Sequence, residues 1–165
     1  MIKKVLIYPT LLLLLLVSVA TVYVFSGDKR LRDANIHVEN AVIQAPLPGK
    51  TMAVAYFDLV NEGGADELLS VRTPVAKRAE LHISTNENGI SKMRRLDSVK
   101  VMPLATTRFA RGGRHVMLFD VNIPENATTA PLILTFARPP LPPAPDAKKD
   151  DKKIYFLKVD ARIVR

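Results

Sequence analysis

Residues 78–95 read RAELHISTNENGISKMRR, and this stretch decides the fold class more directly than any other part of the chain. Two runs with strand-like composition, 78–85 and 90–95, flank the tetrapeptide Asn-Glu-Asn-Gly at 86–89. An Asn-Gly pair between two such runs is typical of the tight turn of a β-hairpin. The sequence therefore predicts two antiparallel strands at this point of the chain.

The chain on either side shows the same pattern of short extended segments between turn residues. Residues 51–60 (TMAVAYFDLV) are rich in strand-forming residues and run into Asn-Glu-Gly-Gly, a strong turn signal. Strands at such short, regular intervals predict an all-β fold, a β-sandwich or small barrel of Greek-key type. The predicted strands cover 36–43, 51–60, 78–85, 90–95, 97–102, 106–110, 114–121, 132–137 and 154–164.

Composition limits the function classes that fit this chain. Its 165 residues are 48% hydrophobic and 24% charged, as expected for one globular domain. The net charge of +8 favours anionic partners, but basic and aromatic residues do not alternate as on a nucleic-acid platform, so we expect no nucleic-acid partner. Cysteine is absent, which excludes disulfides, thiolate metal sites, cysteine nucleophiles and a lipoprotein anchor.

The N-terminus predicts export. Lys3 and Lys4 precede an uncharged apolar run at 5–25, which is the pattern of a Sec signal and is long enough to span a bilayer. Residues 1–26 are therefore interpreted as a signal peptide or an uncleaved membrane anchor, with Tyr23 and Phe25 favouring the anchor. The predicted location of the remainder is the periplasm, on the inner membrane if the segment is retained.

Beyond that segment the sequence divides into two further parts. Residues 27–34 are a short polar, basic linker, and 35–165 form the predicted β-sandwich domain. Within that domain, 139–153 is rich in proline and then in charge, so it is interpreted as a solvated insertion between two strands.

Two of the three histidines and two of the five methionines fall within one short window, as His82, Met93, His115 and Met117. Residues two apart in a strand point to the same face, so His115 and Met117 can meet one ion, while the hairpin can bring His82 near Met93. Two imidazoles and two thioethers suit Cu(I) better than any hard cation. Imidazole binds a metal only when neutral, so affinity is expected to fall on acidification.

Taken singly, each of these residues has a simpler explanation. A lone methionine is more often core filler than a ligand, and a lone histidine is more often satisfied by hydrogen bonds. Those explanations are kept for Met52, Met102 and His37, none of which has the other residue type at strand spacing. For the four residues in the window, their co-occurrence, together with a resemblance to a known family, favours a metal site.

Residues 51–119 resemble the PCu(A)C family of periplasmic copper chaperones. The signature of that family is a His, ten residues, a Met, twenty-one residues, and then His-x-Met, and the present sequence matches it without a change in spacing. Neighbouring stretches are also similar, namely AYFDLVNEGGADELLSV at 55–71, PVAKRAELH at 74–82 and GGRHVML at 112–118.

The resemblance implies a cupredoxin-like β-sandwich that binds Cu(I) and is not an enzyme. Carried over residue by residue, His82, Met93, His115 and Met117 become the metal ligands. The implied copper acceptor is the CuA site of cytochrome c oxidase subunit II or a Sco-type protein. Arg108, Arg111 and Arg114 lie beside the second half of the motif, where we expect them to steer docking onto acidic surfaces.

Three features depart from the family pattern. Ile83 stands where some members carry a methionine, the chain has no Met- or His-rich C-terminal tail for a second Cu(II) site, and the insertion at 139–153 is unusual. Two other functions remain open, a copper-resistance or storage protein with the same site and a metal-free, membrane-anchored assembly module. A blue-copper electron carrier is disfavoured because it requires a cysteine ligand.

Overall fold

The computed structural model describes residues 33–138 and 153–165, and every regular element in them is a β-strand. The ten strands are β1 (Ile36–Gln44), β2 (Ala53–Asn61), β3 (Asp66–Arg72), β4 (Ala76–Glu87), β5 (Ile90–Leu96), β6 (Val99–Val101), β7 (Ala105–Phe109), β8 (Arg114–Val121), β9 (Thr129–Arg138) and β10 (Lys153–Val164).

The strands form one continuous sheet in the order β5-β4-β8-β7-β2-β1-β10-β9-β3-β6, with an added pairing of β8 with β2. Most neighbours are antiparallel, whereas β1 pairs with β10 and β7 with β8 in parallel. Strands from opposite ends of this order contact each other, because β3 packs against β4 and β6 against β7. The sheet therefore folds over on itself and encloses the core, with the non-sequential neighbours of a Greek-key sandwich.

Alternation along the strands builds the core. In β2, every second residue from Ala53 to Leu59 is buried and the residues between them are partly exposed. The ring of Phe57 stacks on Phe109 of the neighbouring strand β7, with centroids 4.4 Å apart. Burial of such side chains is the main favourable term in folding. The largest fully buried side chains are Phe57, Phe109, Phe136, Ile43, Leu59, Leu68, Leu118, Leu132 and Leu134.

The predicted hairpin is present between β4 and β5. Asn88 and Gly89 both adopt positive φ, 54° and 82°, the combination that a type I′ turn requires at its two central residues. The turn fixes the register of the two strands, so that Ser84 faces Met93 and His82 faces Arg95.

The prediction of an all-β, cupredoxin-like sandwich is confirmed, but one strand was missed. β3 begins with Asp66 and Glu67, and acidic residues are depleted in strands, so its start lacks the composition of a strand. Asp66 is nevertheless buried, and the hydroxyl of Tyr155 donates a hydrogen bond to its carboxylate over 2.7 Å. The hydrogen bond from Tyr155, which is 89 residues away in the chain, compensates for the low strand preference of Asp66.

The predicted N-terminal hydrophobic helix, the signal peptide or anchor at 1–26 and most of the linker lie outside the described residues. So does the insertion except for Lys153, which is the first residue of β10 and pairs with Arg138 at the end of β9. Across the part of the chain that the structure describes, no helix is long and apolar enough to cross a membrane.

Candidate metal centre

Strand β4 lies between β5 and β8, and its register with them brings the predicted ligands together. His82 faces His115 directly across β4 and β8, and Glu80 faces Met117 two residues along. On the other side of β4, Ser84 faces Met93. Since cross-strand partners share a face of the sheet, all four predicted ligands lie on one face.

The opposite face of the same strands belongs to the core. Leu81, Val116 and Leu118 alternate with the predicted ligands along β4 and β8, and all three are buried. A shift of one residue in either strand would move the candidate site into the core, so packing of these residues fixes the register of the site.

His115 is the best-fixed member of the set. Only 6% of its surface is exposed, and its Nδ1 lies 3.0 Å from the carbonyl oxygen of Gly113. A carbonyl only accepts hydrogen bonds, so Nδ1 carries the proton and Nε2 of the neutral ring keeps its lone pair. That free nitrogen lies 3.2 Å from the sulfur of Met93.

The contact between His115 and Met93 has the geometry of two neighbouring metal ligands. Bonds of about 2.0 Å to nitrogen and about 2.3 Å to sulfur, as at tetrahedral zinc sites, place two ligand atoms roughly 3.5 Å apart. A lone pair facing a thioether makes no hydrogen bond, because neither atom carries a proton, whereas an ion between the two atoms would bind both. The observed pair therefore fits a soft cation after a small adjustment.

His82 lies beside His115, with ring centroids 5.9 Å apart and planes inclined by 46°. Its Nε2 is 2.9 Å from a carboxylate oxygen of Glu80. Its Nδ1 is buried and has no hydrogen-bond partner among the described residues. Other buried atoms without a partner lie on Thr73, Thr135 and Arg138, but the one on His82 belongs to an imidazole beside a second imidazole, where a metal ion could use it.

The two methionines differ in exposure. Met93 is 55% exposed on β5, a strand at the edge of the sheet, whereas Met117 is partly buried on β8 between Glu80 of β4 and Val54 of β2. The site is therefore bounded by protein on the Met117 side and open to solvent on the Met93 side.

Glu80 is a member of this site that the sequence analysis missed. Its side chain is only 11% exposed and contacts His82, Arg78 and Arg95. The hydrogen bond from His82 lowers the pKa of Glu80 below its usual value, and the charges of Arg78 and Arg95 act in the same direction. The available signal was a Glu two residues before a His, the spacing that places both side chains on one face of a strand.

The residues for which a simpler explanation was kept lie outside this cluster. His37 is on β1, where it pairs with Glu39 over 3.3 Å and both side chains are about half exposed. Met52 and Met102 are exposed and lie outside the strands. The structure thus separates the His-Met group in the window from the remaining histidine and these two methionines.

The three arginines expected beside the site are distributed around it. Arg108 lies on β7, on the face that also carries the predicted ligands, is 78% exposed and pairs loosely with Asp58. Arg114 immediately precedes His115, and Arg111 lies in the preceding turn within hydrogen-bond distance of Gln44.

The chain belongs to the LpqE-like family, whose description is "Putative lipoprotein LpqE-like" and whose model matches residues 36–140. No curated protein matches the chain. Solved structures with the same fold are PCuAC domains, in agreement with the resemblance noted in the sequence.

Three of these structures show how far the likeness extends. A copper-bound PCuAC domain from PmoF2 is 24% identical, with a TM-score of 0.56 over 79% of this chain and 94% of that domain. The apo PCuAC domain from PmoF1 is 21% identical, with a TM-score of 0.57 over 80% and 96%. Apo-DR1885 from Deinococcus radiodurans is 23% identical, with a TM-score of 0.51 over 83% and 81%. At these identities the matches establish the fold.

Proposed function

We propose that this chain is a copper chaperone that binds one Cu(I) ion through His82, Met93, His115 and Met117. The observation that supports it most is the approach of the free Nε2 of His115 to the Met93 sulfur at 3.2 Å. The unpartnered Nδ1 of His82, on the neighbouring imidazole, adds to it. The fold that this chain shares with a copper-bound PCuAC domain also supports it.

The donor set favours the monovalent ion. Thioether sulfur is a soft ligand that selects Cu(I), and imidazole is also a suitable copper ligand, whereas hard cations prefer oxygen ligands. Methionine remains neutral and needs no deprotonation, so only the two imidazoles must be unprotonated for binding. Glu80, a carboxylate beside the site, already contacts His82 and two arginines.

The exposed position of Met93 suggests how the Cu(I) ion would leave the site. A partner that presents thiolates could approach from the solvent side, bind the ion and displace Met93 before the more enclosed ligands. Thiolates bind Cu(I) more strongly than thioethers, so transfer to a dithiolate is favourable. The acceptors we propose are the CuA site of cytochrome c oxidase subunit II and a Sco-type protein.

Anaerobic Cu(I) titration of the full chain against a competing chelator tests the metal site. We expect one equivalent to be bound, and none by a variant in which all four proposed ligands are replaced by alanine. A matched control replaces His37, Met52 and Met102, residues of the same types outside the site, and should bind like the wild type. Absence of stoichiometric uptake by the wild type would refute the proposal and favour the metal-free assembly module.

Docking is tested separately from binding. Charge reversal of Arg108, Arg111 and Arg114 should slow copper transfer to an acidic acceptor at low salt without weakening copper binding, because electrostatic steering acts on the association rate. Unchanged transfer would exclude these arginines from docking. A deletion strain that loses copper tolerance but still assembles its oxidase would favour the resistance or storage function.

We further propose that residues 1–26 export the domain to the periplasm and anchor it to the inner membrane. The support is the Lys3-Lys4 pair followed by the uncharged run at 5–25. Fractionation of cells that express the full chain should place it with the inner membrane. Recovery of a shortened form in the soluble periplasmic fraction would show that the segment is cleaved.

A further inference from the structure

We infer that Glu80 is a positioning residue that holds His82 in the tautomer protonated at Nε2, so that His82 offers Nδ1 to the ion while His115 offers Nε2. This inference rests on the proposed function, because it assigns the ligand atoms of the same site. It adds a residue that lies outside the His-Met motif.

The carboxylate of Glu80 is held in place by three groups. Arg78 donates a hydrogen bond to Oε1, and Arg95 lies 3.6 Å from the same oxygen. The other oxygen, Oε2, is left for Nε2 of His82 at 2.9 Å. Arg78 is itself packed over the ring of Phe119, 4.0 Å from the centroid. The carboxylate therefore has one orientation, with one oxygen directed to the arginines and one to the imidazole.

That orientation selects the tautomer. An ionised carboxylate only accepts hydrogen bonds, so the neutral imidazole of His82 must carry its proton on Nε2. The ring nitrogen left with a lone pair is Nδ1, which is the buried atom without a partner. In His115 the roles of the two nitrogens are reversed, because Nδ1 donates a hydrogen bond to the carbonyl oxygen of Gly113 and Nε2 keeps its lone pair.

A hydrogen bond of this kind affects metal binding in two ways. It fixes the orientation of the ring. It also makes the other nitrogen a better electron-pair donor to the metal, because the carboxylate draws the N–H proton toward itself. Loss of such a partner typically lowers metal affinity by about 10–100-fold.

The chain contains a matched pair without these features. His37 and Glu39 also lie two residues apart on a strand, with 3.3 Å between Nε2 and the carboxylate, but both side chains are about half exposed. No arginine contact holds Glu39 among the described residues. Solvent competes for this pair, so Glu39→Ala is the control for Glu80→Ala.

The test measures the ring nitrogens of the full chain by ¹⁵N NMR at about pH 8, where an ordinary imidazole is neutral. In the metal-free protein we expect His82 to be protonated at Nε2 and His115 at Nδ1. Glu80→Ala should leave His82 as a mixture of tautomers, Glu80→Gln should restore part of the bias because its amide oxygen still accepts, and Glu39→Ala should change neither ring. An unchanged His82 tautomer in Glu80→Ala would overturn the inference.

Addition of Cu(I) to the same samples identifies the bound atoms. The resonances of Nδ1 of His82 and Nε2 of His115 should move, and Glu80→Ala should bind Cu(I) about 10–100-fold more weakly. Movement of Nε2 of His82 instead would overturn the inference and leave the proposed function intact. Movement of neither ring, together with no uptake, would refute the proposed function, while the metal-free spectra would still decide whether Glu80 sets the tautomer.

Discussion

Two polar clusters in this protein differ in how their buried polar atoms are satisfied. The first is the candidate metal centre on β4, β5 and β8. The second, which we call the Asp66 cluster, consists of Asp66 on β3, Arg138 on β9 and Tyr155 on β10. In the Asp66 cluster most hydrogen-bonding atoms have partners within the protein, although the buried Nε of Arg138 has none, whereas in the candidate metal centre each histidine keeps one ring nitrogen with a free lone pair.

The Asp66 cluster is nearly complete in itself. The side chain of Asp66 is fully buried and accepts hydrogen bonds from the Tyr155 hydroxyl and the backbone N–H of Glu67, both over 2.7 Å. The Nε of Arg138 lies 3.8 Å from the same carboxylate, too far for a hydrogen bond, and is buried without a hydrogen-bond partner among the described residues. The terminal nitrogens of this guanidinium bind Asp33 and the Ala34 carbonyl. These contacts join strand ends that are distant in sequence, so the cluster serves stability.

The candidate metal centre shows the contrary pattern. Each of its histidines has one nitrogen fixed by a hydrogen bond and one that retains a lone pair without a strong donor beside it. An unsatisfied buried polar atom costs about 1–3 kcal/mol. An external ligand that supplies the missing partner offsets this cost. Nε of Arg138 is also buried without a hydrogen-bond partner, but it is an N–H donor 3.8 Å from a carboxylate, so the two clusters differ in the free lone pairs that only the candidate metal centre offers to a cation.

The largest expected effect is on stability, from Asp66→Ala. Removing the carboxylate leaves Arg138 and the Tyr155 hydroxyl without their buried partner, at a cost of about 3 kcal/mol in the free energy of unfolding. Urea unfolding measures this loss. The folded fraction should bind Cu(I) with unchanged affinity, and a weakened site in folded protein would contradict the separation of the two clusters.

His115→Ala, unlike Asp66→Ala, should act mainly on copper affinity. Losing a ligand should exceed the effect of losing a supporting residue, so Cu(I) affinity should fall by more than about 100-fold. Chelator competition measures the affinity, and His37→Ala is the matched control. An affinity within a few-fold of the wild type would remove His115 from the ligand set.

Tyr155→Phe is expected to have a smaller effect on stability that depends on pH. It removes a hydrogen bond to a charged group, worth about 2 kcal/mol. Burial raises the pKa of Tyr155, and Asp66 raises it further. The folded state thus holds the phenol proton more tightly than the unfolded chain does. The contribution of Tyr155 to the free energy of unfolding is therefore fully present below the usual tyrosine pKa of about 10 and declines as pH rises above it.

Unfolding experiments across the alkaline range measure that decline. The phenylalanine variant should lose less stability above about pH 10 than the wild type, since it lacks the group that titrates. Equal alkaline losses in the two proteins would show that the phenol proton is not held by the Asp66 cluster.

Met93→Leu should produce the smallest change. Leucine has nearly the same volume and Met93 is more than half exposed, so stability should change by less than about 1 kcal/mol. Cu(I) affinity should still fall, though less than in His115→Ala, because one of four donors is lost and its exposed position can admit another. Met102→Leu is the control and should leave affinity unchanged.

Much of the fold could be predicted from local sequence. The Asn88-Gly89 turn and the strand-forming composition of residues 51–60 are short-range signals, and the hairpin and strand β2 are both present as expected. The strand β3 could not be predicted in this way, because what stabilises Asp66 at its start is a hydroxyl from the far end of the chain. Local propensity contains no information about such a partner.

The candidate site, too, could be predicted from the sequence only in part. The spacing of His82, Met93, His115 and Met117 was sufficient to nominate these residues, and strand periodicity predicted that His115 and Met117 share a face. The distance between Met93 and His115 and the role of Glu80 were not accessible, because both depend on which strands lie side by side.

Local sequence was thus enough to predict the class of fold, since turns and residue composition are local properties. The His-Met spacing and the resemblance to the PCu(A)C family were enough to nominate the candidate donor residues. The tertiary structure decided that β4 lies between β5 and β8, which of the two nitrogens of each histidine is free, and that Glu80 supports His82 while Glu39 remains in solvent. The physical reason is that register and burial arise from packing between distant segments, and those two quantities determine whether a polar atom is satisfied or left free to bind.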